Sequence, residues 1–215
     1  MQNISAEELH KNVPANWYDQ SLRVDPLQKY WHSRRFEEVT RVIEKVDGKV
    51  LDLGCNDGTF SKVIFDKTQA KSLIGIDVVK KTIDWANKHW KNTGGMKFMV
   101  ADAHNLPFES NSFDAVFALE MLEHVFDPLK VLQEARRVLK KDGYGVFLVP
   151  SDSLLFRFVW YLWLHFYPRG KIWRETHIQI YRNNYLPKVV QKAGFTIEVD
   201  KKFILGMLHL VKARK

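Results

Sequence analysis

The sequence predicts an α/β protein built on a doubly wound, mostly parallel sheet, and three observations predict it. Val50-Leu51-Asp52-Leu53 is a short apolar run closed by the glycine-bounded turn Gly54-Cys55-Asn56-Asp57-Gly58, after which Phe60 to Phe65 repeats at helical spacing. Strand, tight turn and helix make the first half of a βαβ unit. Four further strand-like runs then alternate with helical ones, a pattern that folds with parallel strands and right-handed crossovers. Past Pro150 the alternation yields to a strongly aromatic stretch, one more helix and two last strands.

Taken in order, Ser5-Ala6-Glu7-Glu8 has capping-box spacing and predicts a short opening helix. Residues 12–26 are polar, aromatic and broken by two prolines, and read as irregular. Trp31, Phe36, Val39, Val42, Ile43 and Val46 recur at helical spacing, so a helix is expected over 28–46, ended by Asp47-Gly48. Residues 1–27 therefore read as an N-terminal cap segment, and 28–215 as one domain with an aromatic-rich insert over 151–182. Tyr30, Trp31, Arg34 and Arg35 either pack over a sheet edge with both arginines solvated, or form a flap whose arginine meets a ligand carboxylate.

The first turn leads into a helix to about Asp66, and a second strand is expected over Ser72–Asp77. A helix over 80–91 precedes a third strand, 97–101, which ends at Asp102-Ala103-His104. The fourth strand, 113–119, runs into Glu120-Met121-Leu122-Glu123-His124. Asp127-Pro128 then supplies a helix cap and a proline at the first helical position. Leu129, Leu132, Ala135 and Leu139 mark the buried face of that helix, and Lys140, Lys141 and Gly143 close it. A fifth strand is expected over 144–149, a helix over 184–192, and two strands over 195–199 and 207–211 with Lys201-Lys202 in a solvated bend between them.

A length of 215 residues suits one α/β domain, and 46% hydrophobic content supports a sizeable core. The single cysteine, Cys55, excludes a disulfide framework and a Cys-rich zinc site, and no stretch has the make-up of a signal peptide. A reduced, cytoplasmic protein is expected. The net charge of +8 suits an anionic partner, or equally a lysine-rich solvated surface. Position is more informative than the total. Leu154 to Tyr167 is apolar and aromatic except for Arg157 and His165, which share a helical stripe with Tyr161. A stretch of this length cannot cross a bilayer as a helix, which takes about 20 residues. Arg169, Lys171 and Arg174 follow it directly. Such a segment either caps the sheet, lies in the interface of an anionic membrane, or walls a greasy substrate pocket. Nucleic acid is disfavoured, because the insert lacks interleaved basic spacing. No motif addresses oligomeric state.

Charge also sorts the ligands that the first turn can take. A dinucleotide turn needs small residues at three spaced positions, whereas here Gly54 is followed by Asn56 and Thr59. Asp57 puts a carboxylate where a helix start would otherwise bind phosphate. That arrangement suits a ligand with a cationic centre and an amino group, of which S-adenosylmethionine (SAM) is one. Asp77 stands 23 positions past Gly54, placed either to accept from ribose hydroxyls or to cap the helix near Lys80. Asp102 can accept from an adenine amino group or cap a turn, and His104 reads as an exposed turn residue.

With these segments placed, the chain resembles the class I SAM-dependent methyltransferases through Leu51-Asp52-Leu53-Gly54-Cys55-Asn56-Asp57-Gly58, Asp77, Asp102-Ala103 and the fourth-strand segment. The resemblance implies a Rossmann-like seven-stranded sheet whose last strand inserts antiparallel. It implies a cofactor site drawn from Asp52, Gly54, Cys55, Asn56, Asp57, Phe60, Asp77, Val78, Asp102, Ala103 and Leu119, with Arg35 on the flap. Asn56 departs from the commonest turn, which has a second glycine there. Within the family, Glu120 to Val125 followed by Asp127-Pro128, together with Pro168-Arg169-Gly170, is similar to the O-methyltransferases of ubiquinone biosynthesis. That similarity implies O-methylation of a hydrophobic or lipid-linked quinone precursor, with Glu120, Glu123 and His124 holding a divalent metal such as Mg. His124, with Glu120 beside it, is the candidate base; the competing role for the pair is loop support. C- or N-methylation of another small molecule, and SAM binding without turnover, are the alternative functions.

Overall fold

The computed structural model describes residues 12–173 and 178–215; the helix expected at Ser5–Glu8 and the cation Arg174 lie outside them. Seven strands form one sheet in the order β3-β2-β1-β4-β5-β7-β6: β1 Lys49–Leu53, β2 Ser72–Asp77, β3 Met96–Val100, β4 Phe113–Leu119, β5 Leu139–Pro150, β6 Thr196–Phe203 and β7 Leu208–Arg214. Pairings within β1 to β5 are parallel, while β7 runs antiparallel to both β5 and β6. The expected architecture is thus the observed one.

Strand side chains alternate between two cores. Leu51, Leu53, Val116, Ala118, Phe147 and Val149 pack under helices α5 (Pro128–Val138) and α7 (Tyr185–Lys192). Val50, Ala115, Phe117, Val146 and Leu148 face α2 (Pro26–Val42) and α3 (Thr59–Thr68). Both faces are covered, which is why these strands read as near-continuous apolar runs. Helix α4 (Lys80–His89) covers β2 and β3 through Ile83 and Ala86.

Residues 12–26 are not irregular, since Trp17–Val24 is helix α1. Eight residues are too few to hold a helix alone, and Asn16 makes no side-chain cap. The cap comes from the first turn of the sheet, where Asp57 Oδ2 accepts from the backbone N–H of Tyr18 (2.8 Å) and Asp19 (3.0 Å). Helix α2 starts at Pro26 under an Asp25 cap and stops at Val42, four residues before its expected end. Leu139 is fully buried but belongs to β5 rather than to the preceding helix, pairing with Phe113 beside a bulge. Lys201 and Lys202 lie within β6, not in a bend, and bond Glu38 (2.6 Å) and Asn184 (2.7 Å). Lysines on an edge strand deter pairing with another chain.

The insert forms helix α6, Leu154–Phe166, capped by Ser153. Phe156 and Leu164 point inward, while Leu154, Phe158, Tyr161 and Phe166 are more than half exposed. Among the described residues, no helix is long and apolar enough to cross a membrane.

Candidate active site

The strand order reverses direction between β1 and β4, and a cleft opens there at the carboxyl ends of the first four strands. It is the smaller of two adjoining cavities, about 100 Å³. Gly54 and Asn56 reach it from β1, Asp77 and Val78 from β2, Asp102, Ala103 and His104 from β3, and Glu120, Met121 and His124 from β4.

Local chemistry shapes each wall. Gly54 takes a φ of 72°, and a side chain there would collide with Met121, so only glycine lets the turn pass. Asn56 adopts a φ of 47°, which an asparagine tolerates, and its Oδ1 accepts the N–H of Asp57 (2.8 Å). It thereby holds a left-handed conformation that glycine accommodates most readily. Asp77 Oδ2 accepts the N–H of Asn56 (3.0 Å) and Oδ1 that of Val79 (2.9 Å), so this carboxylate ties the first turn to the second. Asp102 is exposed, and its Oδ1 meets the N–H (2.9 Å) and Nδ1 (2.7 Å) of His104. Partial burial acts to raise its pKa, but the bonds from His104 outweigh it and hold the carboxyl below its ordinary value. His104 is therefore part of the cleft wall rather than a free turn residue.

The other expected cofactor residues stand behind this wall. Asp52 is buried against Ser61 Oγ (2.6 Å), and burial lifts its carboxyl to about 7. Asp57 is fully buried, and its second oxygen accepts from Thr59 N–H (3.1 Å) at the start of α3. Burial raises its pKa, against the pull of the amides that bond it. Asp57 does not converge with Asp77 and Asp102 on the cleft; it holds α1 to α3 from beneath. Cys55, Phe60 and Leu119 are likewise buried and outside the lining.

A second, larger chamber of about 640 Å³ adjoins the cleft. Its walls come from α1, α2 and α6 and include Trp17, Trp31, Phe156, Trp160 and Trp163. Tyr18, Glu120, His124 and Trp173 line both cavities and form the junction. Arg35 lines the chamber, not the cleft, and is neither solvated nor free to meet a ligand carboxylate. It is ion-paired with Glu120, and its guanidinium lies 4.2 Å from the Phe60 ring centroid and 5.6 Å from that of Tyr18. Burial lowers its pKa to about 10, so it remains a cation. Glu120 sits at a φ of 53°, a conformation costly for a side chain with a Cβ and one that concentrates at functional sites.

The expected metal centre does not form. Glu120 is engaged with Arg35, and Glu123 is buried with its carboxyl raised to about 8 by desolvation. Among the described residues no group of three or more His, Cys, Asp or Glu could hold a metal ion. The residues present do not fit a divalent metal such as Mg. They do fit SAM: two accessible carboxylates stand side by side at the ends of β2 and β3, and the α3 N-terminus is blocked to phosphate by buried Asp57.

A family profile described as a methyltransferase domain matches residues 51–147. The ubiquinone biosynthesis O-methyltransferase of Actinobacillus pleuropneumoniae is 30% identical over 170 residues, 72% of this chain and 68% of that protein. The demethylmenaquinone methyltransferase of Thermotoga maritima is 36% identical over 118 residues, 55% of this chain and 49% of that one. Among solved structures, a SAM-dependent methyltransferase of Thermotoga maritima superposes with a TM-score of 0.73 at 19% identity, covering 98% of this chain and 100% of that one. At that identity the likeness is one of fold.

Proposed function

Because this chain belongs to the SAM-dependent methyltransferases, we propose that it methylates an oxygen of a hydrophobic aromatic small molecule of the quinone-precursor type. The observation that carries this reading is the junction, where an aromatic-walled chamber meets the cofactor cleft at Glu120 and His124. Its volume suits one small-molecule ring with an apolar substituent. The rim of the chamber is apolar and open, with Leu27, Tyr30 and Leu205 more than half exposed, so a lipid-like tail can extend outward.

SAM supplies an electrophilic methyl group on a sulfonium when bound. The chain's own task is to align the acceptor with it and exclude water, worth on the order of 7–11 kcal/mol when the geometry is good. Asp77 and Asp102 offer acceptors for ribose hydroxyls and an adenine amino group. His124 takes the proton from the acceptor hydroxyl, a step worth roughly 10²–10⁴-fold. Arg35 pairs with Glu120 and fixes that carboxylate at the junction where His124 also stands.

The exposed face of α6 completes the reading. Leu154, Phe158 and Phe166 lie on it with Arg157, and Lys171 follows, which suits an anionic lipid surface from which a greasy acceptor is taken up. Phosphatidylglycerol vesicles should carry the protein upward on flotation while phosphatidylcholine vesicles carry less; no co-flotation with either removes the lipid surface from the proposal. For the activity, methyl-labelled SAM is incubated with alkylcatechols and with a bacterial lipid extract, and products are identified by mass spectrometry and NMR. Label on oxygen is the expected result. Label on carbon or nitrogen moves the reading to another acceptor atom, and SAM binding without transfer makes the chain a binding module.

A further inference from the structure

The chamber's apolar walls contain a polar residue that the proposed chemistry leaves unused. His32, on α2, is 3% exposed, lines the chamber, and has no protein hydrogen-bond partner at either ring nitrogen. Its ring stands edge-on to Tyr18 (5.2 Å between centroids) and Phe60 (6.3 Å), so the aromatic shell fixes the ring without satisfying it. A second residue of the same kind, Trp163, lines the chamber from α6, and its buried Nε1 is also unpartnered. A buried polar group without a partner costs stability, roughly 1–3 kcal/mol, and folded proteins satisfy nearly all of them. Phenylalanine would fill the position of His32 without that cost. Retention of an unsatisfied imidazole in the chamber wall therefore points to a partner that arrives with the substrate.

Resting on the proposed reading of this chamber, we infer that His32 is a specificity-determining residue that hydrogen-bonds a hydroxyl group on the ring of the methyl acceptor. The chemistry of the imidazole selects the group. Burial, reinforced by the Arg35 cation, holds His32 well below its ordinary pKa, so the ring is neutral and offers one donor and one acceptor. A hydroxyl also donates and accepts, and so complements it, whereas a carboxylate only accepts and leaves the acceptor nitrogen of the ring unmet. Trp163 can donate only, so it suits a second oxygen on the same ring. Glu120 and His124 would meet one oxygen at the junction, and His32 would hold another deeper in the chamber. The inferred acceptor is thus an alkyl-substituted aromatic ring bearing at least two oxygens, gripped by its faces against the tryptophans.

Binding of 4-hexylcatechol, 4-hexylphenol and hexylbenzene to SAM-saturated protein is measured through tryptophan fluorescence, beside the KM and kcat for 4-hexylcatechol methylation. The wild type should bind 4-hexylcatechol about tenfold or more tighter than hexylbenzene. His32→Phe should shrink that ratio to about threefold or less and raise KM more than it lowers kcat, with SAM affinity and hexylbenzene binding unchanged. His32→Asn, which keeps a donor and an acceptor, should restore part of the preference. A thermal melt controls for folding, and His32→Phe should melt no lower than wild type, since an unpartnered group has been removed. An undiminished catechol preference in a folded His32→Phe protein overturns the inference and leaves the proposed function standing. Failure of the wild type to bind any of the three compounds overturns the proposed acceptor class, and the inference with it.

Discussion

Replacing Asp57 by alanine separates a structural carboxylate from a ligand-binding one. Its two oxygens accept three backbone N–H groups: Tyr18 and Asp19 in the first turn of α1 and Thr59 at the start of α3. Alanine strands all three donors. Loss of a helix cap costs roughly 0.5–2 kcal/mol, and each hydrogen bond to a charged acceptor about 1.5–3 kcal/mol. Against that, the variant no longer buries a carboxylate whose pKa is already raised by desolvation, which returns part of the loss. A net destabilisation of about 2–4 kcal/mol follows, or on the order of 5–15 °C in Tm for a domain of this size. Calorimetry should show that drop, and hydrogen exchange should show the amides of α1 opening ahead of the sheet, while SAM affinity in the folded protein stays within about threefold. An unchanged Tm, or a wild-type Tm with SAM binding lost, would refute the reasoning, because the carboxylate would then be acting on the ligand rather than beneath the turn.

Other perturbations test the cleft and its support. Asp77→Ala should weaken SAM binding by about 1–3 kcal/mol, since it removes acceptors for the ribose and the anchor of Asn56 together; unaltered affinity by titration calorimetry contradicts the ribose role. His124→Ala should lower turnover roughly 10²–10⁴-fold with SAM affinity intact, and full activity dismisses it as the base. Asp52 supplies a pH test. Its folded pKa, about 7, stands above the ordinary 3.8, so the folded state binds the proton more tightly than the unfolded one. Wild-type stability should therefore decline as pH rises from about 4 to about 7 and level off above. Asp52→Asn lacks that decline, so urea unfolding should show it gaining on wild type by about 1–3 kcal/mol between pH 5 and pH 8; a constant difference sinks the assignment.

The sheet was legible because its signals are local. Each strand from Val50 to Val149 is an apolar run bounded by a turn or cap, and a polar break lies within a few residues in sequence. The Gly54–Gly58 turn and the strand-ending acids Asp77 and Asp102 were legible for the same reason: spacing along the chain places them at one edge of a parallel sheet. The misread boundaries arise where two local signals agree with different elements. Leu139 continues the helical period of α5 and equally fits a buried strand, and pairing with Phe113 decides for the strand.

What the spacing of strands and turns determined about this protein is its architecture and the location of the cleft, while the cofactor class came from the resemblance its motifs carry. Which carboxylates face that cleft was decided only by tertiary packing. Asp57 adjoins Asn56 in sequence, yet it is turned under the turn by the amides of α1, which lie 38 and 39 residues earlier. Arg35 and Glu120, read separately as a flap residue and a metal ligand, neutralise each other across a distance in sequence that no periodicity reports. The larger chamber exists only because α1, α2 and α6 meet over the junction. A local pattern states which face of a helix is apolar, whereas the neighbour that covers that face is chosen by the fold as a whole.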